Sequence, residues 1–82
     1  MSPGRFGRLV FVLAEQEAVV VDIRPWDVHG VAHVDVTLAY RDRTVETARV
    51  GRESVPHDLA AGDQVLVAKA MNVVVEIRRP GA

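Results

Sequence analysis

Eighty-two residues with ten basic and eleven acidic side chains, a formal charge of −1 and no cysteine make one small domain. That balance excludes a domain held to nucleic acid by charge alone, and the missing thiols exclude disulfide stapling, thiolate catalysis and cysteine-based metal sites. A chain of this size buries only about 60 to 65% of the surface its unfolded form exposes, so its core is thin or shared with a partner.

At the amino end, residues 1–4 are expected to be flexible, and residues 6–13 read as a first strand. Leu9, Phe11 and Leu13 occupy one face and Val10 and Val12 the other. Glu15-Gln16-Glu17 breaks this apolar pattern, and the runs on either side are far too short to span a bilayer. Arg5 and Arg8 ahead of an apolar stretch superficially resemble a secretory signal, but Glu15, Glu17 and Asp22 interrupt it, so a cytoplasmic protein without membrane insertion is expected.

A second strand is predicted over 18–24, with Val19, Val21 and Ile23 facing the core and Val20, Asp22 and Arg24 opposite. The short link implies a hairpin with the first strand; a bent continuous strand is the alternative, and a helix over 9–20 is disfavoured by the crowding of β-branched valines. Pro25 ends this strand, and 25–30 forms a loop holding the sole tryptophan, Trp26.

The clearest element follows. Over 32–40, Val34, Val36, Leu38 and Tyr40 alternate with His33, Asp35, Thr37 and Ala39, the period of a half-buried strand. Arg41-Asp42-Arg43 is a three-residue connection to a return strand over 44–50, where a bulge near Thr47 or Ala48 would turn both Val45 and Val50 inward. One short helical turn is expected near residues 56–61, opened by Pro56 and closed by Gly62. Strands over 64–69, with Val65 and Val67 inward, and over 73–79, with Val73, Val75 and Ile77 inward, complete the domain before a flexible tail at 80–82.

Val55-Pro-x-x-Leu59-x-x-Gly62-Asp63-x-Val65-x-Val67, preceded by Thr44-x-Glu46-x-Ala48, resembles the second half of small OB-fold-like or SH3-like β-barrel domains, including uncharacterised actinobacterial ones. The resemblance covers about residues 18–77. It implies an all-β, curled five- or six-stranded antiparallel barrel with a binding surface along its strands and loops, and a Gly62-Asp63 turn into a barrel strand. The family's nucleic-acid modules usually present stacking aromatics, whereas this chain has only Phe6, Phe11, Trp26 and Tyr40, two or three of which the core requires.

His29 and His33, with Asp27 and Asp35, are suitable metal ligands in type, but nothing fixes four of them, and neither metal nor cofactor is expected. His57-Asp58 lacks a nucleophile and oxyanion donors, since Ser54 is the only nearby hydroxyl, so no enzymatic activity is expected and Asp58 is assigned to free backbone donors of its turn. A protein-interaction or self-assembly module, using Val10, Val12, Val20 and Trp26 to contact another protein or its own subunits, is the preferred reading. The alternative is a single-stranded nucleic-acid surface of Arg24, Trp26, Tyr40, Arg41, Arg43, Arg49 and Arg52, each arginine having an acidic neighbour in sequence.

Overall fold

The computed structural model describes residues 14–81. The expected first strand over 6–13, with Val10 and Val12, and the expected flexible residues 1–4 and 82 lie outside the described residues.

Five antiparallel strands, β1 (Ala14–Val28), β2 (Val31–Tyr40), β3 (Val45–Gly51), β4 (Gln64–Ala70) and β5 (Val73–Arg78), form one sheet in the order β3-β2-β1-β4-β5. The expected curled barrel, OB-like or SH3-like, is corrected here: the sheet is open, and β3 and β5 are edges that do not bond to each other. The segment between β3 and β4 helps to explain this. Its 3-10 turn, Arg52–Ser54, packs against β2 and β5, and Val55 and Leu59 lie over the core where a closing strand pair would otherwise meet. The helical turn expected near 56–61 is thus displaced to Arg52–Ser54. Pro56 and Leu59 instead close a single turn through a 3.2 Å bond from Leu59 N–H to Pro56 C=O.

β1 is the longest strand and the least like its prediction. Glu15-Gln16-Glu17 does not interrupt it, because Glu15 pairs with Arg78 and Glu17 with Arg41, so these charges sit on a solvated strand face rather than in a turn. Pro25 does not end it either. β4 pairs with β1 only over Ala14–Val19, so the missing N–H of Pro25 falls on an edge with no neighbour and costs no ladder bond. The expected loop over 25–30 shrinks to His29-Gly30, both at positive φ (50° and 81°), the two-residue turn whose twist suits a β-hairpin. Met71-Asn72 joins β4 to β5 in the same way, at φ 52° and 68°. The β2–β3 connection, Arg41 to Thr44, is one residue longer than the expected three, Arg43 taking a positive φ of 70° after a turn closed by Arg43 N–H on Tyr40 C=O.

Two bulges decide which side chains form the core. The β1–β2 register slips between Val20 and Asp22, so Val21 is an extra residue and the alternation reverses across it. Val20 is therefore core at 1% exposure, against its expected outward position, while Val19 and Val21 face solvent, Val21 at 52%. A second slip leaves Val75 extra in β5, so Val74 and Ile77 point inward and Val73 and Val75 outward. No bulge occurs at Thr47 or Ala48: the β2–β3 register is unbroken, which buries Val50 and exposes Val45. The inner face unites these residues with Val34, Val36 and Leu38 of β2 and Val65 and Val67 of β4. At the β1 bulge, Val20 exchanges bonds with the loop before β4, its N–H meeting Asp63 C=O at 2.9 Å and its C=O accepting from Gly62 N–H at 2.7 Å. Gly62, at φ 94°, and Asp63 do make the expected turn into β4.

The reversal makes two adjacent valines unequal. Val20→Ala is expected to lower unfolding free energy by about 2 kcal/mol, whereas Val21→Ala stays within about 0.5 kcal/mol; urea denaturation of the two variants checks this directly.

Candidate functional site

Opposite the core, the outer face of β1, β2 and β3 is a ladder of cross-strand rows fixed by the two registers. Trp26, His33 and Gly51 share one row; Arg24, Asp35 and Arg49 the next; then Asp22, Thr37 and Thr47; and finally Val19, Ala39 and Val45. Each side chain belongs here because the β2 alternation sends His33, Asp35, Thr37 and Ala39 away from the core.

Trp26 is therefore displayed on a strand, 48% exposed, rather than in a loop. The Arg49 guanidinium lies over its ring, 4.4 Å from the centroid. Asp35 fixes Arg49 with two bonds, from Nε to Oδ1 at 2.8 Å and from Nη2 to Oδ2 at 3.1 Å. This fork geometry lets one planar cation meet a carboxylate at its edge and an indole on its face. The hydrogen bonds from Arg49 hold the Asp35 carboxyl below the usual range, and those to Asp35 push the guanidinium up. Beyond Trp26 the half-buried Val28 faces exposed Val31 across the hairpin end. At the other end of the face, Glu17, Val19, Ala39, Gln64, Leu66 and Pro80 line an open depression of ≈ 420 Å³.

The arginines of the nucleic-acid alternative do not gather. Arg24 and Arg49 stand beside Trp26, and Arg52 follows Gly51 at the same end, whereas Arg41 and Arg43 belong to the β2–β3 turn. Six residues of strand separate Asp35 from Arg41, roughly 20 Å at the rise of a β-strand. Arg24, Arg41 and Arg49 are each paired with a carboxylate, Asp22, Glu17 and Asp35 respectively. Tyr40 is no base platform: its ring lies on the inner side, its hydroxyl donates to Glu46 at 2.7 Å, and Lys69 Nζ sits 4.8 Å from the ring centroid and 3.0 Å from Glu46. Burial, with the Glu46 carboxylate beside it, pushes the Tyr40 phenol far up, while the bond from Tyr40 holds Glu46 down.

The interaction residues are likewise divided. Trp26 is on the outer face, Val20 is corrected to the core, and Val10 and Val12 lie outside the described residues. Val19, Val21 and Val45, all expected in the core, are exposed instead, the first two because of the unexpected bulge at Val21 and Val45 because β3 lacks the expected one. Among the described residues, no group of three His, Asp or Glu side chains is placed to hold a metal ion; His33 Nδ1 lies 3.0 Å from Val31 O, and Asp35 is committed to Arg49. Asp58 pairs with Arg79 at 2.9 Å rather than with the free backbone donors of its turn, and Arg79 also reaches Asp63, tying the end of β5 to the loop before β4. No helix of the described residues is long and apolar enough to cross a membrane. Comparison with protein-family models, with curated proteins and with solved structures finds no match for this chain.

Arg49→Gln is expected to raise the midpoint of Asp35 towards its ordinary 3.8 in a carboxyl-resolved NMR titration. Because the folded-state value is depressed, the pair's contribution to folding is present above the ordinary value and lost as pH falls through the lower one. Tyr40 has the opposite sign: its raised folded value means stability present below the phenol's ordinary 10.0 and lost as pH climbs through the folded value. Glu46→Gln should accordingly bring Tyr40 ionisation to lower pH in an alkaline absorbance titration.

Proposed function

We propose that this chain is a non-enzymatic protein-contact module whose working surface is the outer face of β1, β2 and β3. The observation that carries the reading is Trp26, half exposed on a strand and held in place by Arg49, which Asp35 immobilises in turn. A rigid aromatic and a stacked arginine lose little freedom on binding, and these residue types dominate protein interfaces. Val28 and Val31 extend the apolar area beside Trp26.

Sheet edges offer a competing mode of association, and this chain obstructs them. Pro25 sits on the unpaired side of β1, Glu46 points inward from edge strand β3, and the Val75 bulge distorts edge strand β5. Each device discourages strand addition, which favours contact through the face. The nucleic-acid reading is weaker on electrostatic grounds. Phosphate attraction depends on uncompensated cations along a track, whereas the paired arginines here are split between two ends of the sheet.

Amide-resolved NMR with mixed-sequence single-stranded RNA and DNA at low and moderate salt tests the choice. Unchanged spectra are expected. Salt-sensitive shifts at Trp26, Arg24 and Arg49 would overturn the protein-contact reading.

A further inference from the structure

Resting on that reading, we infer that the occupant of the outer face is a second copy of this chain, packed antiparallel about a two-fold axis so that Trp26 of each copy enters the depression beside Val19 of the other. The face has a half-exposed indole at one end and, three rows away, a concavity lined by Val19, Ala39 and Leu66. At ≈ 420 Å³ this depression falls within the size range of sites that take up a small ligand. Trp26 and Val19 belong to the same strand and lie roughly 20 Å apart along it.

A two-fold axis parallel to the rows, placed midway along the face, brings the Trp26 row over the Val19-Ala39-Val45 row of the second copy. The same operation sets Arg24-Asp35-Arg49 over Asp22-Thr37-Thr47. Arg24 then meets the second copy's Asp22, and Arg49 meets a threonine hydroxyl. The indole, with His33 and Gly51 in its row, thus covers the apolar Val19-Ala39-Val45 row, and the middle rows are complementary in charge, as an interface between identical surfaces requires. Facing sheets of this kind pack about 10 Å apart with strands within about 30° of alignment. Val19, Val21 and Val45, exposed in the single chain, are covered by this arrangement.

Sedimentation equilibrium over a wide concentration range, on wild type, Trp26→Ala and Val19→Asp, tests the arrangement. Wild type is expected to dimerise and each variant alone to dimerise about tenfold or more weakly, the loss typical of an interface anchor. An equimolar mixture of the two variants is expected to recover dimer beyond either alone. One intact contact survives there, between Trp26 of the Val19→Asp copy and Val19 of the Trp26→Ala copy. Val19→Thr, which puts a hydroxyl at the same contact and keeps the β-branched shape, replaces Val19→Asp if circular dichroism shows the latter unfolded. A wild type that stays monomeric overturns the second-copy assignment while leaving a foreign protein as the occupant. A dimer indifferent to both variants, or a mixture with no recovery, overturns the antiparallel two-fold packing.

Discussion

The extra residue at Val21 is the constraint on which the rest of this small protein depends. Fifteen residues of β1 serve two neighbours in succession, β4 over Ala14–Val19 and β2 over Ala18–Val28. The change of neighbour falls at the bulge. Val20, just before the extra residue, exchanges two backbone bonds with Gly62 and Asp63, so the loop takes over the side of β1 that β4 has vacated. Asp63 also accepts from Ala60 N–H and from Arg79, which carries the same junction to the end of β5. A backbone irregularity, a turn and an ion pair thereby form one connected unit, and such bulges increase the twist of the strand that carries them.

The functional surface follows from that unit. Had the alternation continued unbroken, the side chains on either side of Val21 could not have kept both Val20 and Val36 inside while presenting Arg24 and Trp26 outside. The bulge sets the phase of the hairpin end, and the Asp35-Arg49 pair then holds the indole. Since this pair is exposed, its worth to folding is small. Its value is positional, holding Arg49 over a Trp26 ring that stays half exposed. The inner Tyr40-Glu46-Lys69 cluster does different work, joining side chains of β2, β3 and β4 across the inner face of an open sheet.

β2 was legible from the sequence because its apolar and polar residues alternate from Ala32 to Leu38, and burial of Val34, Val36 and Leu38 follows that pattern. The Gly62-Asp63 turn was legible because glycine suits the positive φ it adopts. Both bulges were hidden for a shared reason: each falls in a run of three valines, 19–21 and 73–75, where identical residues give alternation no phase. Pro25 and the Glu15-Gln16-Glu17 stretch misled because their cost depends on neighbours that sequence does not reveal, an unpaired edge in one case and arginines of β5 and the β2–β3 turn in the other. The open sheet was hidden too, since closure depends on whether β3 bonds to β5 and not on the pattern within either strand. Of the surface, Trp26 stood out by its type; its neighbours Arg49 and Asp35 emerge only from the register.

The absence of cysteine allows a direct measurement of the orientation of β1. Single cysteines placed at 19, 20, 21 and 26 in dilute protein would be timed for reaction with a thiol reagent, native and in denaturant. Rapid native labelling at 19, 21 and 26, with position 20 reacting only on unfolding, is the predicted result. Rapid labelling at 20 with protection at 19 and 21 would contradict it, returning Val19 and Val21 to the core and removing the surface on which the functional proposal stands.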